Sequence, residues 1–241
     1  MKETRNAPGQ RPRAAFAYGR TGFWFTGYYR SAGPTPGADA MNFLAHLYLA
    51  GPDATAPAYA GHLLGQFIAD SVPGRQLERY LPEVQAGIRQ HRAIDTFTDQ
   101  HPVVRRSTAR LRAAGTGKYA GVVADMFYDH FLATNFGEFS TESLPAFTQR
   151  VYATLAQRAA EFPAPVQRYF PYLVQQNWLL GYADIAGIER ALQGLSRRAS
   201  PGSGMETAGT ELRRNYAAYE DDFRAFFPEL LAFAEVDPSS P

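Results

Sequence analysis

At 241 residues, 45% hydrophobic and with a net charge of +1, the chain is long enough for one sizeable core and too apolar to be disordered. It contains no cysteine, which excludes disulfides, thiolate nucleophiles and cysteine-ligated zinc. No apolar stretch approaches the roughly 20 residues that span a bilayer, and no secretory signal is visible, so a cytoplasmic location without membrane attachment is the default expectation.

Residues 1–40 read as an N-terminal extension and linker, or as the product of a start placed too far upstream. They are rich in Gly, Pro, Arg and aromatics, lack a helical period, and carry +4, which leaves −3 on the remainder. From Met41 to residue 241 the pattern is helical almost throughout, and this segment reads as the functional domain. Asn42 can cap a short helix through FLAHLYLAG, stopped at Gly51-Pro52. A second helix is expected over about 55–70, ending at Asp70 ahead of Pro73-Gly74. Pro82 suits the first turn of a third helix, and His101-Pro102 ends it. A fourth runs to Gly115, a fifth over about 118–135, and a sixth over 141–161. A seventh follows Pro163 and Pro165, an eighth covers 184–198, and a last one covers 206–235, bent or interrupted at Pro228. Nothing alternates at period two for long enough to demand a strand. The fold class expected is all-α, a compact multi-helix domain.

The third helix carries the most informative feature. Val84, Ile88, His91, Asp95 and Thr98 fall on one face at steps of four, three, four and three. An imidazole and a carboxylate on a core stripe must be paired or bound to something, because an unpaired buried charge is very costly. Taken alone, the pair also fits a His–Asp hydrogen bond that only fixes packing. Asp99, one turn on, reads as a surface acid or cap. The fifth helix repeats the intrusion with Asp125, Asp129 and His130 inside GVVADMFYDHFLA. Two carboxylates at i, i+4 repel unless a cation or an Arg lies between them. His46 in the first helix reads by itself as a core histidine. Asp70 opposes the dipole of the helix it ends. His62 and His101 read as surface or packing residues. Two such rows suggest a shared polar centre, most simply a metal site. Oxygen and imidazole ligands without sulfur favour Mg²⁺, Mn²⁺ or Fe²⁺, and a site of that kind suits phosphate-ester hydrolysis. There is no HExxH, no ExxH, no P-loop, no GxGxxG after a strand and no GxSxG. Residues 75–118 are locally basic by five charges, which fits a surface for phosphate or an acidic protein, or simply a solvated helix face.

MNFLAHLYLA, GHLLGQFIAD, HRAIDTFTD and DMFYDHFL, in that order, followed by LQGLSRRAS and YAAYEDDFRAFFPELL, resemble the bacterial acyl carrier protein phosphodiesterases. The similarity runs from Met41 to about residue 235. It implies an HD-domain-like helical fold, distantly related to the HD phosphohydrolases. It implies a divalent cation, Mn²⁺ first with Mg²⁺ or Fe²⁺ as alternatives. The implied reaction removes 4′-phosphopantetheine from the serine of holo-acyl carrier protein, which is the expected partner, with no nucleic acid and no membrane. His46, Asp70, His91, Asp95, Asp125, Asp129 and His130 match the family's motif positions. Asp70, His91, Asp95, Asp125, Asp129 and His130 are expected as metal ligands, with His46, His91 and Asp95 at the chemistry. Arg89, Arg92, Arg105 and Arg106 are expected to neutralise the phosphate or dock the acidic carrier. The adjacent pair Asp129-His130 reverses the His-Asp order of the wider HD class, so individual ligand roles stay open. Alternatives are a phosphohydrolase acting on a nucleotide or small phosphodiester, and a helical binding protein whose buried His and Asp residues are structural.

Overall fold

The computed structural model describes residues 43–51 and 54–235. The expectations for residues 1–40 and for Asn42 lie outside them. Among the described residues every regular element is helical, as the periodicity predicts. The helices are α1 (Phe43–Tyr48), α2 (Tyr59–Ile68), α3 (Pro82–Gln100), α4 (Pro102–Leu111), α5 (Ala120–Thr134) and α6 (Phe136–Phe139). They continue as α7 (Leu144–Gln157), α8 (Ala164–Gln175), α9 (Trp178–Gly181), α10 (Ile185–Ser196), α11 (Ala208–Arg214) and α12 (Tyr216–Glu235). No helix among the described residues is long and apolar enough to cross a membrane.

The boundaries follow local chemistry. Pro82 and Pro102 open α3 and α4, where a missing amide proton costs nothing. His101, extended at φ −68° and ψ 130°, separates the two helices because a residue before proline avoids the helical region. Ser143 and Asp184 cap α7 and α10 by accepting from the amides of Ala146 and Ala186. Several boundaries differ from the sequence expectation, among them the seventh expected helix, which is two, α8 and α9, parted at Asn177 in the left-handed region. α4 ends at Leu111 and widens into a π-helical turn over Arg112–Thr116. The last expected helix is two, parted at Asn215, whose ψ of 31° leaves the helical region. Pro228 does not interrupt α12, and Pro171 lies within α8.

α5 is the centre of the fold. Val123, Ala124, Met126, Phe127, Phe131 and Leu132 are all fully buried, so this helix is apolar around most of its circumference. It packs against α1, α4, α10 and α12. Each large side chain so buried contributes roughly 1.5–3 kcal/mol of transfer free energy. α2 and α3 form the tightest pair. A Cβ on Gly65 would lie 2.2 Å from the Val84 carbonyl oxygen, and one on Gly87 would lie 2.1 Å from that of His62. The two glycines therefore let these backbones nearly touch, which brings the end of α2 against the face of α3 that carries His91.

Candidate metal centre

His91 is buried on α3. Its Nδ1 donates to the Gln66 carbonyl of α2 at 2.9 Å, a contact that depends on the close α2–α3 approach. With Nδ1 so engaged, Nε2 points at carboxylates. It lies 3.2 Å from Asp70 Oδ1 and 3.4 Å from Asp95 Oδ2. A ligating histidine is commonly oriented in this way, by a carbonyl on its other nitrogen. Asp70 reaches the site from the short 3-10 turn Ala69–Ser71 that follows α2.

His46 arrives from α1. Its ring stacks on that of His91, with centroids 3.8 Å apart and planes 18° from parallel. Its Nε2 lies 3.2 Å from Asp95 Oδ1, so the two oxygens of Asp95 face one imidazole each. The ligand atoms offered by His46, His91 and Asp95 all lie within 4.8 Å of one another, a separation that one ion can satisfy. This His-His-Asp cluster is consistent with a divalent cation.

The protonation pattern of the metal-free cluster is divided. Burial and the neighbouring His91 charge lower the His46 pKa, outweighing Asp95 and Asp70. At His91 burial also opposes charge, but the hydrogen bond and charge of Asp70, with Asp95 and the Gln66 carbonyl, raise its pKa overall. Burial works against the Asp95 carboxylate too, yet the His46 hydrogen bond and both imidazoles hold it below the ordinary range. Of the two stacked rings His91 therefore holds a proton more readily than His46. Both Nε2 atoms can bind a cation once they are free of protons.

A cavity of about 280 Å³ opens beside the cluster. One side is acidic: Asp70, Asp95, Asp99, Asp125 and Asp129. The other is apolar and comes largely from α12, through Phe223, Phe226, Phe227 and Leu230. Asp125 is half-buried on α5. Burial first, and then the charges of Asp95, Asp129, Asp99 and Asp70, push its carboxyl well above the usual carboxylate range. Such crowding of acids is an electrostatic load that a bound cation relieves.

Asp129 borders the cavity but is engaged elsewhere. Its two oxygens accept from the amides of Leu44 at 2.9 Å and Ala45 at 2.8 Å. Those are the second and third amides of α1, the ones a helix leaves for a cap. Asp129 thus clamps the helix that presents His46. Its neighbour His130 is not brought to the cluster: Nδ1 contacts the Tyr182 carbonyl at 2.8 Å and Nε2 lies 3.1 Å from the Tyr216 hydroxyl.

None of the four arginines expected at the substrate lines the cavity. Arg89 reaches Gln85 at 2.8 Å, and Arg92 reaches the Val72 carbonyl at 2.6 Å. Arg105 is exposed. Arg106 is paired with Asp222, a buried carboxylate on α12 that also accepts from Ser107 and Arg110. The cavity includes two charged residues that the sequence reading did not place there, Asp99 and Lys118. Asp99 was legible as the next step of the α3 row. Lys118 had only its place in a basic segment to mark it.

Residues 41–230 match the family model described as acyl carrier protein phosphodiesterase. A protein of Photorhabdus laumondii named acyl carrier protein phosphodiesterase is 35% identical over 196 residues, covering 81% of this chain and 96% of the relative. Relatives of the same name from Yersinia enterocolitica and Serratia proteamaculans are each 32% identical over 196 residues, covering 81% of this chain and 98% of theirs. No solved structure matches the chain.

Proposed function

The chain belongs to the acyl carrier protein phosphodiesterase family, and on that premise we propose that it hydrolyses the 4′-phosphopantetheine diester of holo-acyl carrier protein, using a divalent cation at the His46–His91–Asp95 cluster. The observation that carries the metal reading is the convergence of two stacked imidazoles on the two oxygens of one carboxylate, one ring fixed by a backbone carbonyl. A purely structural His–Asp pair needs one imidazole, not two brought face to face at the edge of an acidic cavity.

Asp70 and Asp125 complete the carboxylate side of this ligand set. Two nitrogen ligands with oxygen ligands and no sulfur favour Mn²⁺ or Fe²⁺ over Mg²⁺, which prefers oxygen donors alone. A bound cation supplies Lewis acidity toward water and phosphoryl oxygen. The protein's own contribution is geometric. Asp129 fixes α1 and hence His46, the Gln66 carbonyl fixes the tautomer and direction of His91, and the aromatic face of α12 supplies an apolar wall beside the cluster. The reaction breaks the bond between phosphorus and the serine oxygen of the carrier, adds one water, and returns a protonated serine hydroxyl with free 4′-phosphopantetheine. The exposed side chains of Arg89 and Arg105 are the ones free to meet the acidic carrier outside the cavity.

Intact mass spectrometry of holo-acyl carrier protein incubated with the protein and Mn²⁺ tests the reading. Loss of the phosphopantetheine mass is expected. An unchanged mass, with Mn²⁺ binding shown independently, would overturn the substrate assignment.

A further inference from the structure

A phosphodiester entering this cavity meets a lining dominated by carboxylates: Asp70, Asp95, Asp99 and Asp125 besides the clamped Asp129. One divalent ion does not balance them, and the substrate's phosphate brings a further negative charge. Lys118 is the only lysine or arginine among the lining residues. No ion pair among the described residues involves it. Lys118 is exposed; its ammonium rests 5.1 Å from the centre of the Tyr119 ring and also hydrogen-bonds the Tyr119 side chain, which leaves its remaining protons for another acceptor.

The backbone that carries Lys118 is built to a fixed shape. The π-helical turn after α4 contains Gly115, with φ +104°, and Gly117 follows it with φ +53° and ψ −126°, so both occupy conformations that side-chain-bearing residues avoid. Opposite this turn, Gly204 approaches so closely that a Cβ on it would lie 2.4 Å from the Gly115 carbonyl oxygen. The Tyr119 hydroxyl accepts from the Ser200 amide at 3.1 Å. The segment 200–204 thus braces the turn from one side while Lys118 borders the cavity at the entry to α5.

We propose that Lys118 is the substrate-anchoring cation of this site, its ammonium bound to a non-bridging oxygen of the phosphodiester. This rests on the phosphodiesterase reading above. Lys118 supplies what Arg89, Arg92, Arg105 and Arg106 do not, a positively charged residue on the exposed border of the cavity. A charge-assisted contact of this kind is worth about 10- to 100-fold in affinity.

The test is calorimetric titration of the Mn²⁺-loaded protein with 4′-phosphopantetheine and, separately, with pantetheine, which lacks the phosphate. Lys118→Gln is expected to weaken 4′-phosphopantetheine about 10-fold or more, to leave pantetheine binding unchanged, and to melt with the wild type. Lys118→Arg is expected to recover most of the loss. Equal 4′-phosphopantetheine affinity in wild type and Lys118→Gln overturns the proposal, as does a loss that extends equally to pantetheine, or failure of the wild type to bind the phosphorylated ligand at all. Holo-carrier turnover measured on the same samples separates the two readings. Turnover by the wild type with an unaltered Lys118→Gln dissociation constant sinks the lysine alone. A phosphate-specific loss in a wild type that does not turn over the carrier supports the lysine and sinks the carrier assignment.

Discussion

Replacing Asp129 by alanine separates its clamping role from a role as a metal ligand. The substitution leaves the amides of Leu44 and Ala45 without their acceptors at the start of a six-residue helix. An unmade buried hydrogen bond costs about 1–3 kcal/mol, so two of them cost about 2–6 kcal/mol. Part of this is offset, because the carboxylate is itself expensive to bury: desolvation pushes its pKa up to about 7 despite the two amides. A net loss of about 2–3 kcal/mol is expected, or a fall in Tm of about 5–10 °C for a domain of this size. Urea and thermal denaturation with EDTA present make the decisive assay, since no ligand role can act without metal. Activity in the presence of Mn²⁺ is expected to fall at least 100-fold, because His46 moves with α1. An Asp129→Ala protein with unchanged stability in EDTA, and a loss of Mn²⁺ affinity alone, would refute the clamp and make Asp129 a direct ligand.

The same carboxyl sets a pH dependence. Its folded pKa of about 7 lies above the ordinary value of 3.8, so the folded protein holds a proton that the unfolded chain releases between those values. Metal-free stability should fall as pH rises through that window, and Asp129→Asn should flatten the slope in urea titrations. For the cluster, Mn²⁺ at 100 times its dissociation constant should stabilise the wild type by about 2.7 kcal/mol, and His46→Ala, His91→Ala and Asp95→Asn should each abolish the thermal shift. Because His91 has a raised pKa and must lose its proton to bind, Mn²⁺ affinity measured by titration should increase with pH through the range above 6.5. Gly87→Ala drives a methyl into the His62 carbonyl, forces α2 from α3 and should destabilise the fold by roughly 3 kcal/mol, with loss of Mn²⁺ binding; a neutral result in chemical denaturation would show that the crossing is not tight.

The helices and the His91–Asp95 row were legible because both are periodic. A carboxylate and an imidazole at helical spacing on a core stripe announce a polar centre whatever surrounds it. His46 entered through the family resemblance, since a single polar residue on an apolar helix has no periodic partner, while Asp70 was marked by its place against the dipole at a helix C-terminus. Asp129 and His130 could not be told apart. They are adjacent on a helix buried on nearly every side, so apolar flanks do not say which face meets α1 and which meets Tyr182. The surroundings of the arginines were hidden for a related reason. The partner of Arg106 is Asp222, 116 residues away, and no local pattern records that pairing. Lys118 depended on the turn at Gly115–Gly117, whose glycines signal a break in the helix but not the direction in which the next side chain projects.

The cluster and the apolar wall beside it come from distant parts of the sequence. His46, Asp70, His91 and Asp95 all lie between the start of α1 and the end of α3, whereas the aromatic face is carried by α12, the last helix described. During synthesis the ligand residues leave the ribosome well before Phe223, Phe226 and Phe227 exist as a wall. The α2–α3 pair, close in sequence as well as in space, can form early at little loop-closure cost. A nascent chain can therefore gather its ion-binding residues before the far wall exists, and the arrival of α12 is the step that gives the cluster its apolar wall.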